Sequence, residues 1–464
     1  MNEEGGGGRR RGGGCYCCCC SGEAQIHRIS SSSSSFSNSS NRESGLHHNP
    51  GLSCCCCCGD CGGLPFSPRP RRRRRRRARM SSSAGEELLR ADDPRPRPRG
   101  RSPSALLRRK GGGGGGGVGG GGGRKAPLLR WDEVPDDFVE CFILSGYRRL
   151  HLTAQECLAS VVQPTNETLN FWTHFIPLLL FAGKFGRLLL LRGAGGGLPS
   201  DHPALRPLWC YASGVLLTFA MSCTAHVFSC LSLRLRAAFF YLDYASISYY
   251  GFASTVAYYY YLLPGLSLLE PRTLGRALQQ HLGWQVDCRG AIAAYRALVL
   301  PVALALAVAC TVACCKSRAE CCAYPFAVRT FVFVMPLSMA CPIMLESLFF
   351  DLRDRDPTLF VHFYRRYFWL VVAAFFNVSK IPERIQPGRF DIVGHSHQLF
   401  HIFTFLSIYD QMFYVEEGLQ NFLRKPPEAL PTLAGTLGYM LVLMLCLALV
   451  VRRFLNVPGA CKED

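Results

Sequence analysis

Near the C-terminal end of the chain, Gly394-His395-Ser396-His397-Gln398-Leu399-Phe400-His401 opens a long apolar segment. His397 and His401 are four apart, so on a helix they share one face, the spacing by which two imidazoles can grip one metal ion. Ligand-type groups inside a membrane are expensive and mark function. Two more stand in comparable settings: His226, late in the apolar stretch 207–231, and Asp243, early in the stretch 240–263. A buried metal site in a membrane helix bundle is the sharpest reading of these four residues. Three neutral imidazoles on Zn²⁺, with a fourth position left for water, form the catalytic type of zinc site, and zinc brings the pKa of that water to about 7. Asp243 is placed to hold the water, as base or as orienting group. Ser222 precedes His226 by four residues, shares its helical face, and could hydrogen-bond the site or a substrate oxygen. The plainer readings are a packing histidine for His226, a helix-packing serine for Ser222 and an interfacial carboxylate for Asp243. His395 is two residues from His397, points elsewhere and stays outside the site.

The elements that must position these residues are membrane helices. Spans of about 18 or more mainly apolar residues fall near 171–191, 207–231, 240–263, 293–315, 325–350, 361–381, 395–415 and 433–454. The first and sixth are interrupted by Lys184 and Arg187 and by Arg365 and Arg366. Pro301, Pro336 and Pro342 should kink their helices. The segment 264–292 is the longest connection. Tyr249-Tyr250 and Tyr258–Tyr261 read first as an interfacial aromatic belt, with the lining of a flat apolar cavity as the alternative. Parity brings the candidates together. His226 ends the second span and Asp243 starts the third; the third to sixth spans make an even number of crossings, so the seventh begins on that same side, with His397 and His401. Basic residues before the first span favour a cytoplasmic N-terminus, which makes that leaflet cytoplasmic.

Composition divides the chain. Residues 1–130 hold 25 Lys/Arg and 9 Asp/Glu, a net of +16, whereas the remaining 334 residues hold 27 and 24, a net of +3. Runs of Gly, Cys, Ser and Arg fill residues 1–126, which are expected to be a disordered basic tail with too little apolar surface to offset chain entropy. Residues 127–170 are expected to be a cytoplasmic pre-membrane segment, 171–455 the helix bundle and 456–464 a short C-terminal tail. Met80, the next methionine, is a candidate initiator. The Arg71–Arg77 run lacks the aromatic interleaving of a nucleic-acid module, so specific nucleic-acid binding is not expected. Of 25 Cys, 11 lie in residues 15–61 in adjacent runs that fit neither a disulfide framework nor a zinc ribbon. The N-terminal stretch is polar and basic with no apolar core, so a secretory signal peptide is not expected ahead of the bundle. The sequons at Asn166 and Asn377 are expected to be cytoplasmic and membrane-buried, hence unmodified. Phosphate-binding loops and nucleophile elbows are missing from the sequence.

Several motifs together resemble one family across roughly residues 130–455. They are Pro164-Thr165-Asn166-Glu167-Thr168 with Asn170-Phe171-Trp172-Thr173-His174, then Ser222-x-x-x-His226, Leu242-Asp243-Tyr244, Ile381-Pro382-Glu383-Arg384 and Ser396-His397-Gln398-Leu399-Phe400-His401. In these the chain resembles the progestin and adipoQ receptor family. The run Leu128–Pro135 and the extra eighth span look most like its membrane progestin receptor branch. The resemblance implies an all-α polytopic membrane protein: a seven-helix core plus an eighth C-terminal helix. It also implies an intramembrane zinc on His226, His397 and His401, with Ser222 and Asp243 beside it. Function implied by the family is plasma-membrane sensing of a steroid or other apolar lipid, with a G protein as signalling partner. Zinc-dependent hydrolysis of lipid amides, with Asp243 and Ser222 catalytic, is the alternative, and a scaffold stapled by structural zinc is a third.

Overall fold

The computed structural model describes residues 127–194, 198–319, 324–350, 357–427 and 430–456. The expected tail 1–126 and nearly all of 456–464 lie outside these. Before the first long helix the chain forms a short antiparallel ribbon, β1 (Leu129–Arg130) with β2 (Ser145–Tyr147). A single helical stretch follows, α1 (Ala154–Ala159), started by a capping box in which Thr153 and Glu156 satisfy each other's backbone N–H groups.

Every apolar run becomes helical, and apart from that ribbon the protein is a helical, multi-pass membrane protein. The long helices are α2 (Thr168–Ala194), α3 (Arg206–Phe228), α4 (Leu233–Tyr261), α6 (Arg289–Ala319), α9 (Pro357–Ser379), α10 (Ser396–Arg424) and α11 (Tyr439–Leu455). The long connection contains α5 (Pro271–Leu282), capped by Glu270 and ended by Gly283 in the left-handed region at φ +71°. The fifth span is broken: α7 (Pro325–Val332) and α8 (Cys341–Phe349) are separated by tight turns that include Met335–Ala340. Pro336, which has no N–H to give, lies in that break, and Pro342 is the second residue of α8, where its missing donor costs nothing. Pro301 is accommodated inside an unbroken α6.

By length and apolar composition alone, four segments of the described residues can cross a membrane: Thr168–Leu190, Pro203–Phe228, Arg289–Ala319 and Ala434–Leu455. α4 and α10 are longer than a bilayer needs, 29 residues each, or roughly 44 Å at 1.5 Å per residue. Their polar side chains lower their hydropathy because these two helices line the interior. Outward faces are apolar, as at Ile176, Leu179 and Leu180 on α2 and Leu441, Leu445 and Leu449 on α11, which suits contact with lipid. Lys184 does not break α2, for it pairs with Glu416 at 3.0 Å.

Two apolar clusters fill the bundle. One gathers Phe181, Tyr211, Phe219, Met412 and Val415; the other gathers Tyr241, Phe252, Val256, Leu443 and Leu447, seating α11 against α4 and α6. α3 and α4 approach closely at Gly214, where a Cβ would lie 2.9 Å from both Tyr250 Cα and Ala253 Cβ, the small-residue packing that membrane helices use. Tyr249, Tyr250, Tyr258 and Tyr261 are buried. They face the interior and do not form the expected interfacial belt.

Candidate metal centre

Each element that carries a histidine is fixed at its end. α3 finishes two residues after His226, leaving carbonyls without helical partners. Arg148 completes that end: its Nη2 donates to His226 O at 2.6 Å and its Nη1 to Val227 O at 2.8 Å. Ser160 Oγ at 2.9 Å and Ser229 Oγ at 3.2 Å accept the rest. α10 begins one residue before His397. Glu383 holds that start, accepting from Ser396 N at 2.7 Å and from Ser396 Oγ, a carboxylate at the positive end of a helix. Gly394, at φ +87°, makes the turn into α10 and donates its N–H to Gln398 Oε1.

His226, His397 and His401 converge so that one ring nitrogen from each lies within 4.8 Å of the others. Ring centroids are separated by 4.5 to 5.2 Å, and the Nε2 atoms of His226 and His397 are 3.4 Å apart. The outer nitrogens decide the tautomers. His226 Nδ1 is 2.7 Å from Glu167 Oε2; a carboxylate only accepts, so Nδ1 carries a proton, and it is Nε2 that the neutral ring would offer to a metal. His401 Nδ1 is 3.1 Å from Asn170 O, an acceptor again, with Thr173 Oγ1 also at 3.1 Å. For His226 and His401, outer nitrogens turned onto oxygens leave the inner nitrogens free to ligate, which is what a metal ion asks of its histidines. The donor set fits, and the cluster could hold a metal ion.

Glu167 stands just before α2. Burial alone would push its carboxyl up, but His226 in contact, with Arg148 and Arg236 nearby, holds it well below the usual carboxylate range. Asn170 Nδ2 donates to the same oxygen at 2.8 Å. A fourth histidine, His174, stacks flat on His401, with centroids 3.7 Å apart and planes 7° from parallel. It fixes the plane of that ring while its Nδ1 meets Ser222 Oγ at 2.8 Å. Ser222 is thus tied to His174. Asp243 lines the same cavity but lies outside the three-histidine cluster, and its carboxylate makes no hydrogen bond among the described residues. His395 bonds Asn166 O at 3.2 Å, away from the cluster.

All of the sequence-derived candidates therefore line one cavity of about 410 Å³, in the range of small-molecule sites. Sequence reasoning missed Glu167, Asn170, Thr173 and His174. They fall in the Pro164–His174 motif, so the resemblance touched them, but only the approach of α2 to α3 and α10 reveals their partners.

Fold and site together define a multi-pass helical membrane protein with three inward-facing histidines lining one cavity of the bundle. The chain belongs to the Haemolysin-III related family, whose profile matches residues 162–412. It is similar to membrane progestin receptor delta of Mus musculus, 32% identical over 354 residues, covering 72% of this chain and 93% of that protein. Membrane progestin receptor gamma of Mus musculus is 30% identical over 287 residues, with 61% and 79% covered. Membrane progestin receptor alpha of Cynoscion nebulosus is 27% identical over 282 residues, with 59% and 70% covered. The motif resemblance to progestin and adipoQ receptors agrees with this family.

Proposed function

We propose that the chain is a plasma-membrane receptor for progestin-type steroids, of the epsilon type. His226, His397 and His401 hold Zn²⁺, the N-terminus and segment 127–170 are cytoplasmic, and signalling runs through a G protein. The observation that carries the reading is the cavity of about 410 Å³ within the helix bundle in a chain whose relatives bear the name of membrane progestin receptors. A rigid apolar ligand with a few polar atoms suits an apolar cavity with polar groups at its ends. In this reading the metal ties α3 to α10, and the histidines' outer partners hold the rings in place.

Asp243 favours a second reading, hydrolysis of a lipid amide. Its carboxylate has no hydrogen-bond partner among the described residues and lines the same cavity as His226. A zinc ion would supply Lewis acidity there and make water acidic near neutrality. Water would add across the amide, and Asp243 would accept a water proton and return it to the leaving amine.

The test is progesterone binding and release of fatty acid from ceramide, measured on the full chain in nanodiscs. The receptor reading expects saturable progesterone binding that Asp243→Asn leaves intact, and a loss of metal and folded yield in His397→Ala. Amide turnover abolished by Asp243→Asn, without steroid binding, would replace it by the hydrolase. Neither activity in a folded, metal-loaded sample would leave the scaffold role.

A further inference from the structure

The cavity continues past the histidines, along α10 from His401 by Thr404 to Ile408 and along α4 from Asp243 by Tyr250 to Tyr258. At 1.5 Å per residue its inner end is roughly 10 Å from His401 and roughly 22 Å from Asp243 along the helices. That suits a steroid skeleton or an extended acyl chain.

Arg366 stands at this inner end, only 3% exposed. The contrast with its neighbour is informative. Arg365 has a carboxylate, Asp410 at 3.5 Å, which also meets His362 Nδ1 at 2.7 Å and accepts from Trp369 Nε1 at 2.9 Å. Arg366 has none among the described residues. Its Nη1 donates to the hydroxyls of Tyr258 and Tyr414, the latter at 2.6 Å. Tyr258 in turn accepts from Gln411, whose carbonyl accepts from Tyr250. A guanidinium brings five N–H donors and no acceptor, so the cluster is rich in donors. Among the described residues Arg366 Nε remains buried without a partner, and so does the Oγ1 of Thr404, a residue that lines the same cavity. A buried guanidinium lacking a counter-charge, with a donor left over, is costly unless something supplies an acceptor.

We infer that the inner end of the cavity is a ligand subsite in which Arg366 binds an acceptor oxygen of the ligand, a ketone or a carboxylate, with the Thr404 hydroxyl on the same cavity wall as a further polar group. The inference deepens the ligand-binding reading above and rests on it. The apolar body of the ligand then spans the stretch between α4 and α10, and its other end reaches the histidine cluster. Arg366 is a specificity-determining residue in this view: it selects apolar molecules that carry an oxygen at one end over those that do not.

The experiment compares the full wild-type chain in nanodiscs with Arg366→Met and Thr404→Val, using progesterone, two analogues each lacking one of its ketones, and oleate. Thermal melting and metal content serve as controls for folding. Arg366→Met is expected to weaken progesterone about 10- to 100-fold, the usual size of a hydrogen bond to a charged group. One of the two deoxy analogues is expected to bind wild type and Arg366→Met alike, because its missing oxygen is the one Arg366 holds. Thr404→Val should weaken progesterone several-fold and keeps the test decisive should Arg366→Met fail to fold. Oleate binding that depends on Arg366, with no progesterone binding to wild type, would uphold the subsite for a carboxylate and remove the progestin reading. The subsite is overturned if folded variants bind within about twofold of wild type, if both deoxy analogues lose as much as progesterone, or if wild type binds none of these probes.

Discussion

Glu167 is the residue on which the metal-site argument can be broken most cleanly. Its Oε2 accepts from His226 Nδ1 at 2.7 Å and from Asn170 Nδ2 at 2.8 Å. Glu167→Gln keeps the volume and leaves one oxygen, Oε1, able to take both bonds; what it removes is the negative charge. A hydrogen bond to a charged partner is worth about 1.5–3 kcal/mol against about 1 for a neutral one. The difference, about 1.5 kcal/mol, is roughly tenfold in affinity. Glu167→Ala also frees the ring and should reach the upper end of the 10- to 100-fold range for residues behind metal ligands. The assay is competition for Zn²⁺ against a chelator of known affinity, on full-length protein in detergent, with bound metal counted by elemental analysis. Asp243→Asn and Ser222→Ala are the controls, since among the described residues neither side chain hydrogen-bonds a histidine of the cluster, and both should stay within about threefold of wild type. Wild-type zinc affinity in Glu167→Gln and Glu167→Ala would refute the assignment of Glu167 as the group that orients His226. An equal loss in Asp243→Asn would move that role to Asp243.

Three further outcomes test the supports. Arg148→Met strips the last carbonyls of α3 of their donor, which should cost about 2–5 kcal/mol and lower the melting temperature well before metal is lost. Gly214→Val forces a branched side chain into the 2.9 Å approach of α3 to Tyr250 and Ala253. It should cost upwards of about 2 kcal/mol, seen as reduced folded yield in size-exclusion chromatography, whereas Gly183→Ala, where nothing lies within 4 Å, should be silent. Removing zinc with a chelator should lower the melting temperature of wild type but not of His226→Ala, because a ligand that binds only the folded state stabilises it by mass action.

What the sequence disclosed, and what it withheld, follows from the range of each interaction. His397 and His401 were legible because their relation is a helical period, a local property. His226 and Asp243 joined them by counting crossings, which needs only the order of apolar runs. The break in the fifth span was half legible: Pro336 and Pro342 announced a distortion, but only the structure shows two short helices. Glu167 was invisible as a partner because its carboxylate meets His226 across 59 positions of chain. The tyrosines of α4 misled for a related reason, since a tyrosine-rich helix end looks the same whether it faces headgroups or a cavity.

Arg365 and Arg366 show most sharply where sequence reading stops. As letters they are one defect in an apolar run, and the cost of a charge in a membrane applies equally to both. Packing separates them. Arg365 reaches Asp410 and is accounted for within the fold, whereas Arg366 turns inward to phenols and keeps an unused donor beside the cavity. A charge that the fold neutralises speaks about architecture. One that the fold buries and leaves short of acceptors must be satisfied by something that enters, and here that oxygen would sit at the Arg366 end of the cavity, away from the three histidines. Metal affinity therefore tests one end of the cavity and ligand selectivity the other, so each can fail without the other.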